Sequence, residues 1–113
     1  GTELTGEVAA DGPDVPVSVG LTAYRLVQEG LTNAQRHAPG AAVLVRVARR
    51  GAQLVVEVGN GPSAGAAAVH DGAPGTGLLG LRERVAAVGG ELVAGPDGGG
   101  HLLRAVLPLG AAR

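Results

Sequence analysis

Apolar side chains recur every three or four residues in one long segment near the N-terminus. They are Tyr24, Val27, Leu31, Ala34 and Ala38. This spacing predicts an amphipathic helix with that face buried. The helix is expected to open at Pro16 or Ser18, because proline suits a first turn and serine caps free amides. It is expected to end at Pro39-Gly40.

Alternation with a period of two predicts strands on either side of this helix. The strand segments are residues 2–9, 42–48, 54–59, 92–94 and 101–109. The second and third form an antiparallel hairpin joined by residues 49–52, and residues 95–100 read as a flexible turn. A second helix is predicted from Leu78 to Val88, with Leu81 and Val85 inside and Arg82-Glu83-Arg84 outside.

The order β-α-β-β-α-β-β predicts the fold class. One layer of helices over a mixed, mainly antiparallel sheet buries both helical stripes, which makes the protein an α+β two-layer sandwich. A chain of 113 residues with 45% hydrophobic content is expected to form a single domain, 1–113, around one small core.

Composition and charge narrow the function. Nine basic and ten acidic residues give a formal net charge of −1, and tyrosine is the only aromatic residue type. We therefore expect no nucleic-acid partner and no direct membrane contact. The chain has no cysteine, no apolar run that would span a bilayer and no signal pattern, so a cytoplasmic location is expected.

The polar face of the first helix carries the first candidate site. Glu29, Asn33 and His37 are spaced four residues apart, with Arg36 beside them. Carboxylate and amide oxygens bind hard cations, and the basic groups donate to phosphate oxygens. The alternative is an ordinary solvated helix face.

The second candidate is the glycine-rich segment that opens the second helix. Residues 75–80 match G-x-G-x-x-G, but no strand directly precedes them, so the context for dinucleotide binding is wrong. Free amides of Leu78, Leu79 and Gly80 at a helix start would still suit an anion. The alternative is a flexible helix start without a ligand.

These two segments together resemble motifs of the ATP-binding catalytic domain of sensor histidine kinases, in the GHKL/HATPase superfamily. The segment similar to the family's N box is Tyr24-Arg25-Leu26-Val27-Gln28-Glu29-Gly30-Leu31-Thr32-Asn33-Ala34, followed by Arg36-His37-Ala38. The segment similar to its second glycine box is Gly75-Thr76-Gly77-Leu78-Leu79-Gly80-Leu81-Arg82-Glu83-Arg84-Val85, followed by Gly89-Gly90. The latter has the form typical of the branch paired with helix-turn-helix-output response regulators. The resemblance spans residues 15–109 and implies a Bergerat-type sandwich.

The resemblance implies a role for each residue of the helix motif. Asn33 would give its amide oxygen to Mg²⁺, which bridges the phosphates of ATP. Glu29 would bind the metal's shell or help activate the accepting group, so it is both a metal ligand and the catalytic candidate. Arg36 would contact phosphate, and His37 would flank the ribose and phosphates.

The resemblance also implies a nucleotide-binding role for the segments around the glycine box. The triphosphate would bind at Gly75, Gly77, Leu78, Leu79 and Gly80, and residues 61–76 would form the ATP lid. Where the family usually has an aspartate that binds the adenine amino group, this chain has Asn60. An amide oxygen still accepts that hydrogen bond but loses charge assistance of about 1 kcal/mol.

The activity that the resemblance implies is histidine kinase catalysis in two-component signal transduction. The domain would supply the γ-phosphoryl of Mg-ATP to a histidine on a separate dimerisation helix, which we expect upstream in a longer kinase. Its partners would then be ATP, those phosphoacceptor helices and a response regulator, and the parent could be membrane-anchored. The alternatives are an anti-sigma-factor serine kinase of the same fold and a degenerate, non-catalytic binding module.

Overall fold

Seven elements follow one another in the predicted order. The computed structural model describes residues 4–8, 15–38, 40–62 and 76–109. The elements are β1 (Leu4–Val8), α1 (Val17–His37), β2 (Val43–Arg50), β3 (Gln53–Asn60), α2 (Thr76–Ala87), β4 (Glu91–Asp97) and β5 (Gly100–Pro108).

The five strands form one sheet in the order β1-β2-β3-β5-β4. Strand β1 lies at the edge and pairs with β2 in parallel, whereas the three other pairings are antiparallel. This arrangement confirms the mixed, mainly antiparallel sheet and the α+β class that the sequence pattern predicts.

Helix α1 begins after Pro16, as one of the two predicted starts requires. Pro16 has φ −61° and ψ 149°, and its carbonyl accepts the amide of Gly20 at 3.0 Å. Ser18 does not cap the helix, because it lies inside the first turn and its carbonyl accepts Thr22 Oγ1 at 2.8 Å. Although α1 has 21 residues, neither it nor α2, within the described ranges, is apolar enough to span a membrane.

The buried face of α1 differs from the predicted one at Tyr24. Tyr24 is 61% exposed, and it lines an outward stripe with Val17 and Leu21. The residues that face the sheet are Val19, Ala23, Leu26, Gly30 and Ala34. Of the predicted stripe, Val27 and Leu31 are half-buried and pack against the core, and Ala38 is buried. Only one stripe can face the sheet, and the small residues Ala23, Gly30 and Ala34 let this one approach more closely than a face carrying tyrosine.

The core lies between the helices and the inward face of the sheet. Alternate residues of three strands fill it, namely Val43, Val45, Val47, Leu54, Val56, Val58, Leu103, Ala105 and Leu107. Helix α2 contributes Leu81 and Val85, with Leu78 and Val88 packed at the margin. The predicted inner face of α2 is therefore confirmed.

The turns of both hairpins are shorter, and their paired strands longer, than the sequence pattern predicts. Strands β2 and β3 pair as far as Arg50 and Gln53, which leaves only Gly51-Ala52 in the turn. Strands β4 and β5 pair as far as Asp97 and Gly100, so the turn is Gly98-Gly99 with φ of +57° and +87°. Two consecutive positive φ angles suit the twist of a two-residue hairpin and favour glycine.

The outward face of the sheet carries a row of charges across three strands. Glu57 Oε2 accepts Arg104 Nε at 2.9 Å, and Glu57 Oε1 lies 3.6 Å from an Arg46 guanidinium nitrogen. Exposed ion pairs of this kind contribute between nothing and about 1 kcal/mol each. The fold therefore rests on the packing of the helices against the opposite face.

Helix α1 approaches strand β3 closely at Gly30. A Cβ atom at this position would lie 2.7 Å from Val58 Cβ and 2.8 Å from Val58 Cγ1. A glycine inside a helix costs about 1 kcal/mol relative to alanine. Here the absence of a side chain lets the backbone of α1 rest directly on β3.

We expect Gly30→Ala to lower the free energy of unfolding by about 1–2 kcal/mol, because overpacking costs about 1–3 kcal/mol and exceeds the gain in helix propensity. Gly20→Ala is the matched control in the same helix, since its Cβ would lie 3.8 Å from Val15 Cγ1, an ordinary contact. Urea unfolding should show Gly20→Ala stabilised by up to about 1 kcal/mol. Equal shifts in the two variants would show that Gly30 does not contact Val58 closely.

Candidate functional site

The C-terminal half of α1 and the end of β3 lie at the same end of the molecule. Gly30 contacts Val58, two residues before β3 ends at Asn60. A short connection leads from α1 to Val43, which is the residue paired with Asn60 in the sheet. The amide of Gly61 also donates to the Ala42 carbonyl at 3.0 Å. The helix motif and the strand end are therefore neighbours.

Helix α2 starts at this same end. Its C-terminal side lies at the opposite end, where a Cβ atom at Gly90 would meet Leu107 Cδ2 at 2.9 Å, and Leu107 pairs with Leu54. With 12 residues, α2 is about 18 Å long. From Leu107 back to His101, β5 covers about the same length, so the first residue of α2, Thr76, lies towards His101. His101 pairs with Asn60. Three separate segments thus converge on one end of the sheet.

Glu29 and Asn33 carry side-chain oxygens that are candidate metal ligands at this end of the sheet. They are one helical turn apart, both half-buried, and Glu29 adjoins the residue that touches β3. A carboxylate and an amide oxygen suit Mg²⁺, which keeps several water or phosphate ligands of its own. Within the part of the chain that the structure describes, no three acidic or histidine side chains gather into a metal site. Glu29 and Asn33 alone would fill only part of the octahedral shell of Mg²⁺, so phosphates and water would supply its remaining ligands.

The two basic residues of the helix motif lie at its C-terminal end. Arg36 is exposed, and His37 is the last residue of α1. The side chain of His37 is outside the described part of the structure. Their position places both residues at the end of the sheet where Asn60 lies, and their contacts with phosphate and ribose remain predictions.

Asn60 faces the helices from the end of β3. It continues the inward row of Leu54, Val56 and Val58, and it is half-buried. Its Nδ2 donates to the Gly61 carbonyl at 3.0 Å. The predicted position of a polar group at the strand end is confirmed, whereas its contact with adenine stays a prediction.

Residues 76–80 of the glycine box are the first residues of α2. The helix begins at Thr76, which is the last residue of the predicted lid of approximately residues 61–76, and the lid itself stays a prediction. Gly77, Leu78 and Leu79 lie in the first turn, where amides have no partner within the helix. Gly80 is beyond that turn, and the prediction of a free Gly80 amide is wrong because the helix starts earlier than Leu78. Gly75 and residues 63–74 lie outside the described residues.

Two glycines that sequence reasoning did not single out hold the site in place. Gly30 sets the distance between α1 and β3. Gly100, expected in a flexible turn, is the first residue of β5 and abuts the Asn60–Gly61 peptide. A glycine in a helix interior or a paired strand is a signal for such close packing, since either position otherwise disfavours it.

Comparisons with solved structures find histidine kinase catalytic domains with the same fold. A histidine kinase domain from the blue-light activated histidine kinase EL346 of Erythrobacter litoralis is 28% identical, with a TM-score of 0.74. The match covers 96% of this chain and 52% of that chain. This chain therefore spans about half the length of that domain structure.

Two further structures share the fold at lower identity. Full-length ShkA in complex with AMPPNP is 22% identical with a TM-score of 0.71, and the match covers 96% of this chain and 26% of ShkA. The nucleotide-free catalytic domain of the histidine kinase ThkA is 16% identical with a TM-score of 0.61, covering 95% of this chain and 78% of that one. No protein-family model and no curated protein matches the sequence.

Proposed function

We propose that this chain, whose fold is that of the ATP-binding catalytic domain of histidine kinases, binds Mg-ATP and supplies its γ-phosphoryl to a histidine on a separate dimerisation helix. The sequence resemblance to that domain is confirmed by the structural comparisons. Phosphoryl transfer, the metal and the partner proteins are part of the proposal.

The convergence of three segments at one end of the sheet carries this proposal. Helix α1 offers Glu29 and Asn33, β3 ends at Asn60, and α2 points its first-turn amides towards the same end. A purine nucleoside triphosphate needs hydrogen-bond donors for its phosphates, oxygen ligands for its cation and a polar group for its base. Each segment would supply one of these. The AMPPNP in the ShkA structure supports the assignment of a nucleotide to this fold.

The polar residues of α1 would hold the triphosphate end of the nucleotide. When bound, Mg²⁺ would bridge the phosphates and neutralise part of their charge. Asn33 and Glu29 would hold that cation through their side-chain oxygens, with Arg36 donating to a phosphate oxygen. The unpaired amides and positive dipole end of α2 would bind the remaining phosphate charge.

The transfer itself needs little chemistry from the protein beyond positioning. A ring nitrogen of the acceptor histidine attacks the γ-phosphorus, and the bond between that phosphorus and the bridging oxygen breaks, so ADP leaves. The attacking imidazole loses its ring proton, which Glu29 would accept as the general base. We expect the acceptor on dimerisation helices and a response regulator as the next recipient of the phosphoryl group.

One prediction of the proposed function concerns nucleotide binding. Calorimetry should show Mg-dependent ATP binding to the wild-type chain, and Asn33→Ala should weaken Mg-ATP by about tenfold while affecting metal-free ATP far less. Gln35→Ala, an exposed position on the same helix, should leave both affinities unchanged. No binding at millimolar ATP would contradict the proposal, and an unchanged magnesium dependence in Asn33→Ala would contradict the metal assignment.

The second prediction concerns transfer. With dimerisation helices of a related histidine kinase supplied in trans, the chain should form an acid-labile phosphohistidine. Glu29→Gln should slow this step by about 10²–10⁴-fold, the usual contribution of a general base, while ATP remains bound. Glu83→Gln, on the exposed side of α2, is the matched control. An acid-stable phosphoserine product would instead support the serine kinase alternative.

A further inference from the structure

The side chain of Asn60 is held in one orientation by its own neighbour in the chain. Its Nδ2 donates to the Gly61 carbonyl at 3.0 Å. Because the two ends of a carboxamide point in different directions, this bond turns Oδ1 away from Gly61. Rotating the amide by half a turn would place two carbonyl-type oxygens against each other, which is unfavourable.

The peptide that receives this bond is itself supported by Gly100. A Cβ atom at Gly100 would overlap the Asn60 carbonyl oxygen and lie 2.9 Å from the carbonyl carbons of both Asn60 and Gly61. Gly100 is not in a positive-φ conformation, so this close approach is what requires glycine there. Any larger residue would displace the peptide and, with it, the partner of Asn60 Nδ2.

We infer that Gly61 and Gly100 are positioning residues that fix Asn60 Oδ1 as a hydrogen-bond acceptor and thereby make the site selective for a 6-aminopurine over a 6-oxopurine. This inference rests on the proposed nucleotide site. An unrestrained asparagine can rotate to accept from an amino group or donate to a carbonyl group. An amide anchored through one N–H cannot exchange the positions of its oxygen and nitrogen, so the ligand group that faces Oδ1 must be a hydrogen-bond donor.

The anchoring gives asparagine an advantage over aspartate at this position. A carboxylate has no N–H to donate to the Gly61 carbonyl, and one of its oxygens would face that carbonyl instead. In this chain the gain from charge assistance is therefore opposed by the loss of the internal hydrogen bond. Asn60→Asp should not bind ATP more tightly than the wild-type chain.

The test compares ATP with inosine triphosphate, which differs by a 6-oxo group and a protonated ring nitrogen. Calorimetry on the wild-type chain should give ATP an advantage of about tenfold or more, since a mismatched acceptor leaves buried polar groups unpaired. Gly100→Ala should reduce this ratio severalfold. Gly95→Ala in the same hairpin should preserve it, because a Cβ atom there meets nothing within 4 Å.

Two further measurements do not depend on whether Gly100→Ala folds. In the nucleotide-free wild-type chain, the Asn60 side-chain amide should give one NMR proton signal with the low temperature coefficient of a hydrogen-bonded group. Gly61→Ala keeps the backbone carbonyl and has no close contact, so that signal should persist in it. In Asn60→Asp, the affinity for ATP should be equal to or weaker than in the wild-type chain.

The outcomes separate this inference from the function on which it rests. Equal affinities of the wild-type chain for ATP and inosine triphosphate would overturn the inference while leaving nucleotide binding established. Tighter ATP binding by Asn60→Asp, or two solvent-like amide protons on Asn60, would also overturn it. Failure of the wild-type chain to bind either nucleotide would overturn both proposals.

Discussion

The contact between Gly30 and Val58 is the constraint on which the rest of this structure depends. It lets the backbone of α1 rest on the central strand β3, at a distance that any side chain would prevent. Glu29 precedes that contact and Asn33 follows it by one turn, so their height above the sheet is set by packing. No polar interaction between the motif residues is needed to bring them together. The geometry of the candidate site is thus a consequence of the core.

The same constraint explains how a small, mostly aliphatic domain can present a polar end. Inward rows of valine and leucine run along β2, β3 and β5, and the row on β3 ends in Asn60. The helices cover the aliphatic residues of these rows. The polar residue Asn60 comes next along the row of β3, where the aliphatic residues end. Glycine at Gly90 and Gly100 permits two further close approaches, one at each end of β5.

Periodicity predicted the element order, the sheet type and the inner face of α2, because burial alone determines those patterns. It failed at Tyr24, since α1 carries two apolar stripes and only the sheet decides which one is buried. The turn between β4 and β5 was predicted too long, because the glycine and proline in Gly95 to Asp97 suggest a turn. In the structure, these residues pair with β5. The site motifs were found through their resemblance to a family. Gly100 was missed because its role depends on a strand that is remote in sequence.

The central claim is that α1, the end of β3 and the start of α2 bind one metal–nucleotide complex. Paramagnetic relaxation with Mn²⁺-ATP in place of Mg²⁺-ATP tests it most directly, because line broadening falls steeply with distance from the metal. We expect strong broadening at Asn33, Asn60 and Leu78 and none at Gly51 and Gly89, which lie at the opposite end of the sheet. Broadening centred on that opposite end, or on Glu57 on the outward face, would contradict it.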